Sequence, residues 1–256
     1  MALAWQALVA EQVGVRLGAA PRLVLGASVW LAYSVDRWIE GWRLHPAQVQ
    51  TQRHAFYQRQ RWPLAVLWMG LLGVDLGVAW GGLERGQFWA GACVLPLVAA
   101  YLFSHQFIHR HHPGRLPKEI CVAGLLAVGI GVFILPLLPP GHGGRLTWPL
   151  ALFALLAFAN CALISAWEHG VDRAQGQTSL AHQFSGGHAL ARAAAAAALL
   201  AGLAAAVALP SFRASGKAAA LSGLLLLLID RGEPRLGRRA ARVLADAALL
   251  TPLLWL

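Results

Sequence analysis

The chain has 256 residues, 58% of them hydrophobic and 12% charged, with a formal net charge of +10. A soluble domain of this length carries about 25% charged residues, so this composition excludes an ordinary soluble protein and points to one integral membrane domain over residues 1–256. The basic residues sit in short connections between apolar runs, a pattern of membrane topology that argues against a nucleic-acid interface.

Nine apolar segments follow one another, at residues 2–18, 20–38, 63–81, 88–104, 118–138, 148–167, 189–209, 214–230 and 240–256. Most approach the ~20 residues that a helix needs to cross a bilayer. They are continuous rather than alternating, which argues against a barrel. The expected fold is all-α, a polytopic membrane bundle of eight to nine transmembrane helices. The first segment is interrupted by Gln6, Glu11, Gln12 and Arg16, so it is expected to cross the membrane, to lie in the interface, or to be the tail of a longer helix. Its start, "MALAWQALVAEQ", has no basic region ahead of the apolar part, which argues against a cleaved signal peptide. Cys93, Cys121 and Cys161 lie singly within apolar runs and read as small buried hydrophobes, without metal or disulfide spacing.

The second segment ends in "LAYSVDRWIEG", where Asp36 and Glu40 are four residues apart and Arg37 stands between them. The third carries a lone acid, Asp75, and a lone intramembrane carboxylate either serves function or bonds to a neighbouring helix. The fourth leads into "SHQFIHRHHPG", with His105, His109, His111 and His112. The sixth contains Asn160, which suits a substrate contact or an interhelical hydrogen bond, and ends in "SAWEHGVDRAQG", with Glu168, Asp172 and Arg173. The eighth ends in "LLLIDRGEPRLGRR", where Asp230 approaches the same membrane face. The connections after the even-numbered segments, together with the segment ends that flank them, hold 15 of the 21 basic residues. By the positive-inside rule these connections, and both acid pairs, are cytoplasmic. The expected location is the cell inner membrane.

Two carboxylates at i and i+4 share one helix face and repel each other. Acids at membrane depth are costly and are generally paired or functional. A divalent cation relieves both penalties, and Mg²⁺ commonly bridges a few carboxylates to substrate phosphates. Two such pairs, Asp36 with Glu40 and Glu168 with Asp172, suit two ions around a diphosphate, with Arg37 and Arg173 on the remaining phosphate oxygens. Trp30, Tyr33, Trp38 and Trp167 lie beside the pairs and read first as interfacial anchors.

In these stretches the sequence resembles the UbiA superfamily of intramembrane prenyltransferases. "YSVDRWIE" is similar to the end of that family's first acid motif, and "SAWEHGVDRAQGQTSLA" to its second. "LPKEICVAGLLAVGIG" resembles the family's fifth helix and supplies Lys118. The sequence departs from the pattern at Ala32, where the family has Asn, and at Glu40 and Glu168, where it has Asp. The resemblance implies Mg²⁺-assisted transfer of an isoprenoid group from a prenyl diphosphate to a hydrophobic acceptor, aromatic or lipid. Asp36, Glu40, Glu168 and Asp172 would be the metal-binding and catalytic residues, and Arg37, Lys118, Asn160 and Arg173 would bind substrate. The alternative is a catalytically divergent relative with a binding, transport or assembly role. A membrane di-iron oxidase built on the histidines is a third reading, since imidazole suits iron; against it, further HxxHH boxes are lacking.

Overall fold

A computed structural model describes residues 1–43, 52–108, 117–170 and 179–256, apart from the side chains at 40, 41, 43, 52–54, 107 and 108. Glu40 (as a side chain), Asp172, Arg173 and the histidines at 109, 111 and 112 therefore lie outside the described residues. The described residues form eleven α-helices: α1 (Ala2–Gln12), α2 (Ala19–Arg43), α3 (Gln52–Arg59), α4 (Arg61–Gly82), α5 (Arg85–Phe103), α6 (Lys118–Val132), α7 (Thr147–Trp167), α8 (Leu180–Gln183), α9 (Gly187–Ala208), α10 (Arg213–Leu236) and α11 (Arg238–Ala248). Among the described residues, six helical stretches are long and apolar enough to cross a membrane, those built on α4, α5, α6, α7, α9 and α10. The chain is thus an all-α membrane protein. α2 has 25 residues, with charges toward both ends, whereas the first and ninth apolar segments fold as helices of 11 residues each. At 1.5 Å rise per residue such a helix covers only about half a bilayer core.

These two short helices complete one another. Trp5 is fully buried and donates its indole N–H to the Leu249 carbonyl at 3.0 Å, while its ring packs on Phe153 of α7 with centroids 5.2 Å apart. The same buried cluster contains Leu8, Ile130, Ile134, Leu156, Leu163, Ala195 and Leu226, all shielded from solvent. The core therefore sits among α1, α6, α7, α9 and α10.

α4 and α5 show the inverse pattern. Asp75 is the buried residue of α4 and Gln87 that of α5, while Trp80 is 80% exposed and Val66 74% exposed. Ser28 of α2 donates to Asp75 Oδ2 at 2.8 Å, so this acid bonds to a neighbouring helix. Gln87 donates to the Phe133 carbonyl at 2.9 Å. Polar atoms turned inward and apolar atoms outward are what a hydrocarbon solvent selects. Cys93 of α5 is exposed for the same reason and Cys121 and Cys161 are only partly covered, a correction to the expectation of buried thiols.

Candidate functional site

α2 runs unbroken through Asp36 to Arg43, so positions 36 and 40 fall one turn apart on one face. Asp36 is nearly buried, and its Oδ1 accepts a 2.7 Å hydrogen bond from the Gln106 side chain. Gln106 belongs to a π-helical turn, Ser104–Ile108, that continues α5. Such turns re-aim side chains and recur at functional sites. Asp36 Oδ2 faces the Arg37 guanidinium at 3.7 Å, and that guanidinium also lies over the Tyr33 ring, 5.4 Å from its centroid. Tyr33 thus has a cation–π role in addition to any interfacial one.

The second acid stretch is built differently from the first. α7 ends at Trp167, and Glu168 occupies its C-cap, with φ −90° and ψ 5°. The regular face that spacing alone assigns to Glu168 and Asp172 is therefore not carried by α7; the helix stops where the first acid begins. A carboxylate at a helix C-terminus meets the negative end of the macrodipole. Arg242 of α11 offsets this, donating to Glu168 Oε1 at 2.7 Å. Beside it, the His169 and His182 rings stack with centroids 4.1 Å apart.

α6 brings two further charges. Lys118 opens the helix, and Glu119 in its first turn is only 1% exposed. Glu119 Oε1 accepts the backbone N–H of Leu180 at 3.1 Å, whereas Oε2 has no partner. At the C-terminal half of α7, Asn160 reaches Asp246 of α11, Trp167 reaches Asp230 of α10, and Glu168, the residue that caps the helix, is held by Arg242 of α11. Asn160 donates to Asp246 Oδ1 at 3.0 Å, an interhelical hydrogen bond, and its own Oδ1 lacks a partner, as does the buried hydroxyl of Ser165. Asp230 belongs to a neighbouring clamp. It accepts from the Trp167 indole at 2.9 Å and from His188 at 2.7 Å, and pairs with Arg192. Those bonds satisfy both of its oxygens and join α7, α9 and α10 rather than leaving it open to a ligand.

Gln106, Glu119, Arg242 and Asp246 are therefore site neighbours that motif spacing does not single out. Glu119 had a signal, as an acid opening an apolar segment. Its role can be tested without a substrate. Glu119→Gln keeps an oxygen to accept the Leu180 N–H, whereas Glu119→Leu strands that donor. We expect Glu119→Leu to lower stability in detergent by about 1–3 kcal/mol, the usual cost of a buried unmet group, and to speed amide exchange at Leu180. Glu119→Gln should stay near wild type; identical behaviour of the two variants would exclude this bond as the tether. For the histidines, His105 stacks on Tyr101 with centroids 5.6 Å apart, and among the described residues no three of His, Cys, Asp and Glu group in a way that could hold a metal ion.

No family model and no curated protein sequence matches the chain. Among solved structures, the chain is similar to the apo structure of a UbiA homolog from Aeropyrum pernix K1, with a TM-score of 0.69 at 16% identity, over 99% of this chain and 94% of that one. A likeness at that identity carries architecture rather than chemistry. Over nearly its whole length, then, the chain has the fold of a UbiA homolog, the membrane architecture that its two acid stretches imply.

Proposed function

We propose that the chain is an intramembrane prenyltransferase, moving an isoprenoid group from a prenyl diphosphate to an aromatic or lipid acceptor with Mg²⁺ assistance. The observation that carries this reading is a UbiA-type bundle in which α2 brings a nearly buried Asp36 beside Arg37 and the C-terminal half of α7 meets Asp246 and Arg242 of α11. Buried polar atoms of Glu119, Asn160 and Ser165 lack protein partners there, as befits a site made for a polar ligand.

The donor set fits a hard cation. Asp36 and Glu168 offer carboxylate oxygens, and Glu40 and Asp172 would complete two pairs. When bound, Mg²⁺ neutralises the diphosphate and supplies Lewis-acid stabilisation of the leaving group. Arg37, Arg173 and Lys118 would donate to the outer phosphate oxygens. Gln106, by holding Asp36 Oδ1, fixes the direction in which Oδ2 points. The apolar helix walls exclude water, so that the allylic carbon, as its C–O bond breaks, meets the acceptor before it meets solvent. Diphosphate leaves with the electron pair, and the acceptor gives up a proton. The acid ends of α2 and α7 would face the cytoplasm of an inner membrane, where basic connections accumulate.

The test is product formation. Membranes containing the protein, given isotopically labelled prenyl diphosphates of several lengths and a lipid extract, should yield a prenylated product by mass spectrometry with Mg²⁺ and none with a chelator. Protection of the protein by a prenyl diphosphate without any product, across all lengths and extracts, would favour a binding protein over an enzyme.

A further inference from the structure

The opposite end of the bundle holds a polar cleft. α1 leads into α2 there, so the C-terminus of α1 lies away from Asp36, and α10 begins at that end after α9 has returned from the site. The cleft is open to the surface, with a volume of about 400 Å³, and its lining includes Glu11, Gln12, Arg213, Lys217, Leu8 and Trp255. That volume lies within the range of small-molecule sites, about 300–1,000 Å³.

Its chemistry is incompletely satisfied from within. Among the described residues, neither Glu11 nor Arg213 nor Lys217 forms an ion pair, and both side-chain polar atoms of Gln12 are shielded from solvent without a partner. Arg213 and Lys217 stand one turn apart at the start of α10, where two cations meet the positive end of the helix dipole; an anion between them relieves both effects. Glu11 sits in the last turn of α1, where a carboxylate meets the negative end and favours a cation. The cleft thus presents a place for a phosphate beside a place for an ammonium, with an amide able to donate to one and accept from the other. Leu8 and Trp255 supply an apolar wall, and tryptophan suits the headgroup level of a bilayer.

We propose that this cleft binds the phosphoethanolamine headgroup of a membrane lipid: phosphate on Arg213 and Lys217, ammonium on Glu11, and Gln12 bridging the two. The proposal is independent of the chemistry at the other end. Delipidated protein in detergent would be titrated with phosphatidylethanolamine or phosphatidylglycerol and the bound lipid counted by native mass spectrometry. Wild type should retain the ethanolamine lipid at about tenfold lower concentration than the glycerol lipid, a difference of about 1.4 kcal/mol. Arg213→Gln with Lys217→Gln should weaken retention of both lipids at least about tenfold, as loss of charge-assisted bonds predicts. Glu11→Gln should abolish only the preference between them. Ser211→Trp, which fills the cleft without changing its charge, should also release the ethanolamine lipid. Equal retention by wild type and these cleft variants, or no preference in wild type, would overturn the proposal. Competition by soluble phosphoethanolamine at the lipid's own concentration would assign the cleft to a free phosphomonoester and overturn the lipid source.

Discussion

Asp36→Asn is expected to lower Mg²⁺-dependent prenyl transfer by at least about a hundredfold, the usual scale for removing one preorganised electrostatic group from a reacting centre. The substitution is chosen for what it spares. Asn presents an oxygen where Asp36 Oδ1 now accepts the 2.7 Å bond from Gln106, so α2 remains tied to the π-helical turn after α5. What is lost is one negative charge facing Arg37 at 3.7 Å. Thermal stability in detergent should therefore hold within about 1 kcal/mol, since the bond to Gln106 is kept and one net hydrogen bond is worth about that much, while product formation falls. Gln106→Ala separates charge from orientation: the carboxylate stays but its direction is freed. We expect an intermediate loss, about tenfold, since small misplacements of a reacting group are costly. Full transfer by the Asn variant would remove Asp36 from the reacting centre; equal losses in both variants would mean that orientation, not charge, is what Asp36 supplies.

How far these residues are legible in sequence depends on the range of the physics involved. Asp36 and Glu40 are visible because one continuous helix, α2, turns a spacing of four into a shared face. Glu168 is visible by the same spacing, but its true setting is not. It caps α7 and finds Arg242, 74 residues away, and no local rule reports a partner at that distance. Gln106 with Asp36 and Glu119 with Leu180 are likewise joined across 70 and 61 residues. Composition identifies apolar helices well, yet it cannot say which apolar surface meets protein and which meets lipid, because both reward the same side chains. Hence Cys93 reads as a buried thiol in sequence and is exposed in the fold, where Trp80 is exposed too while Gln87 is buried. The first segment is ambiguous by hydropathy for a related reason. Its fate as a short buried helix is decided by Trp5 reaching Leu249 across 244 residues.

Gly202→Leu is expected to do the largest structural damage of any single exchange between α9 and α10. A Cβ at Gly202 would lie 2.5 Å from the Ala220 nitrogen and 2.7 Å from the Gly216 carbonyl oxygen. Across the interface, a Cβ at Gly216 would lie 2.6 Å from the Ala206 nitrogen and 2.7 Å from the Gly202 oxygen, and one at Gly223 would lie 2.7 Å from the Leu199 nitrogen. These obstacles are backbone, which cannot rotate aside, so the helices must part. In a bilayer, close packing rather than water exclusion holds helices together, and dispersion decays within a fraction of an ångström. Gly202→Ala should cost about 1–3 kcal/mol as overpacking, and Gly202→Leu more. Gly124→Ala on α6, where a Cβ meets nothing within 4 Å, should instead be neutral or gain up to about 1 kcal/mol from helix propensity. Adding Gly216→Ala to Gly202→Ala should cost less than the sum, because each Cβ strikes the other glycine's own carbonyl and one displacement serves both. Unfolding in detergent with increasing denaturant reads these variants and Gly216→Ala alone; strict additivity of the pair would mean that the two sites open the interface independently. The consequence reaches the candidate site, because Asp230 of α10 is clamped by His188 and Arg192 of α9 and by Trp167, the residue before Glu168. Parting the helices pulls on that clamp, so a variant that remains folded but separated should lose prenyl transfer before it loses helicity.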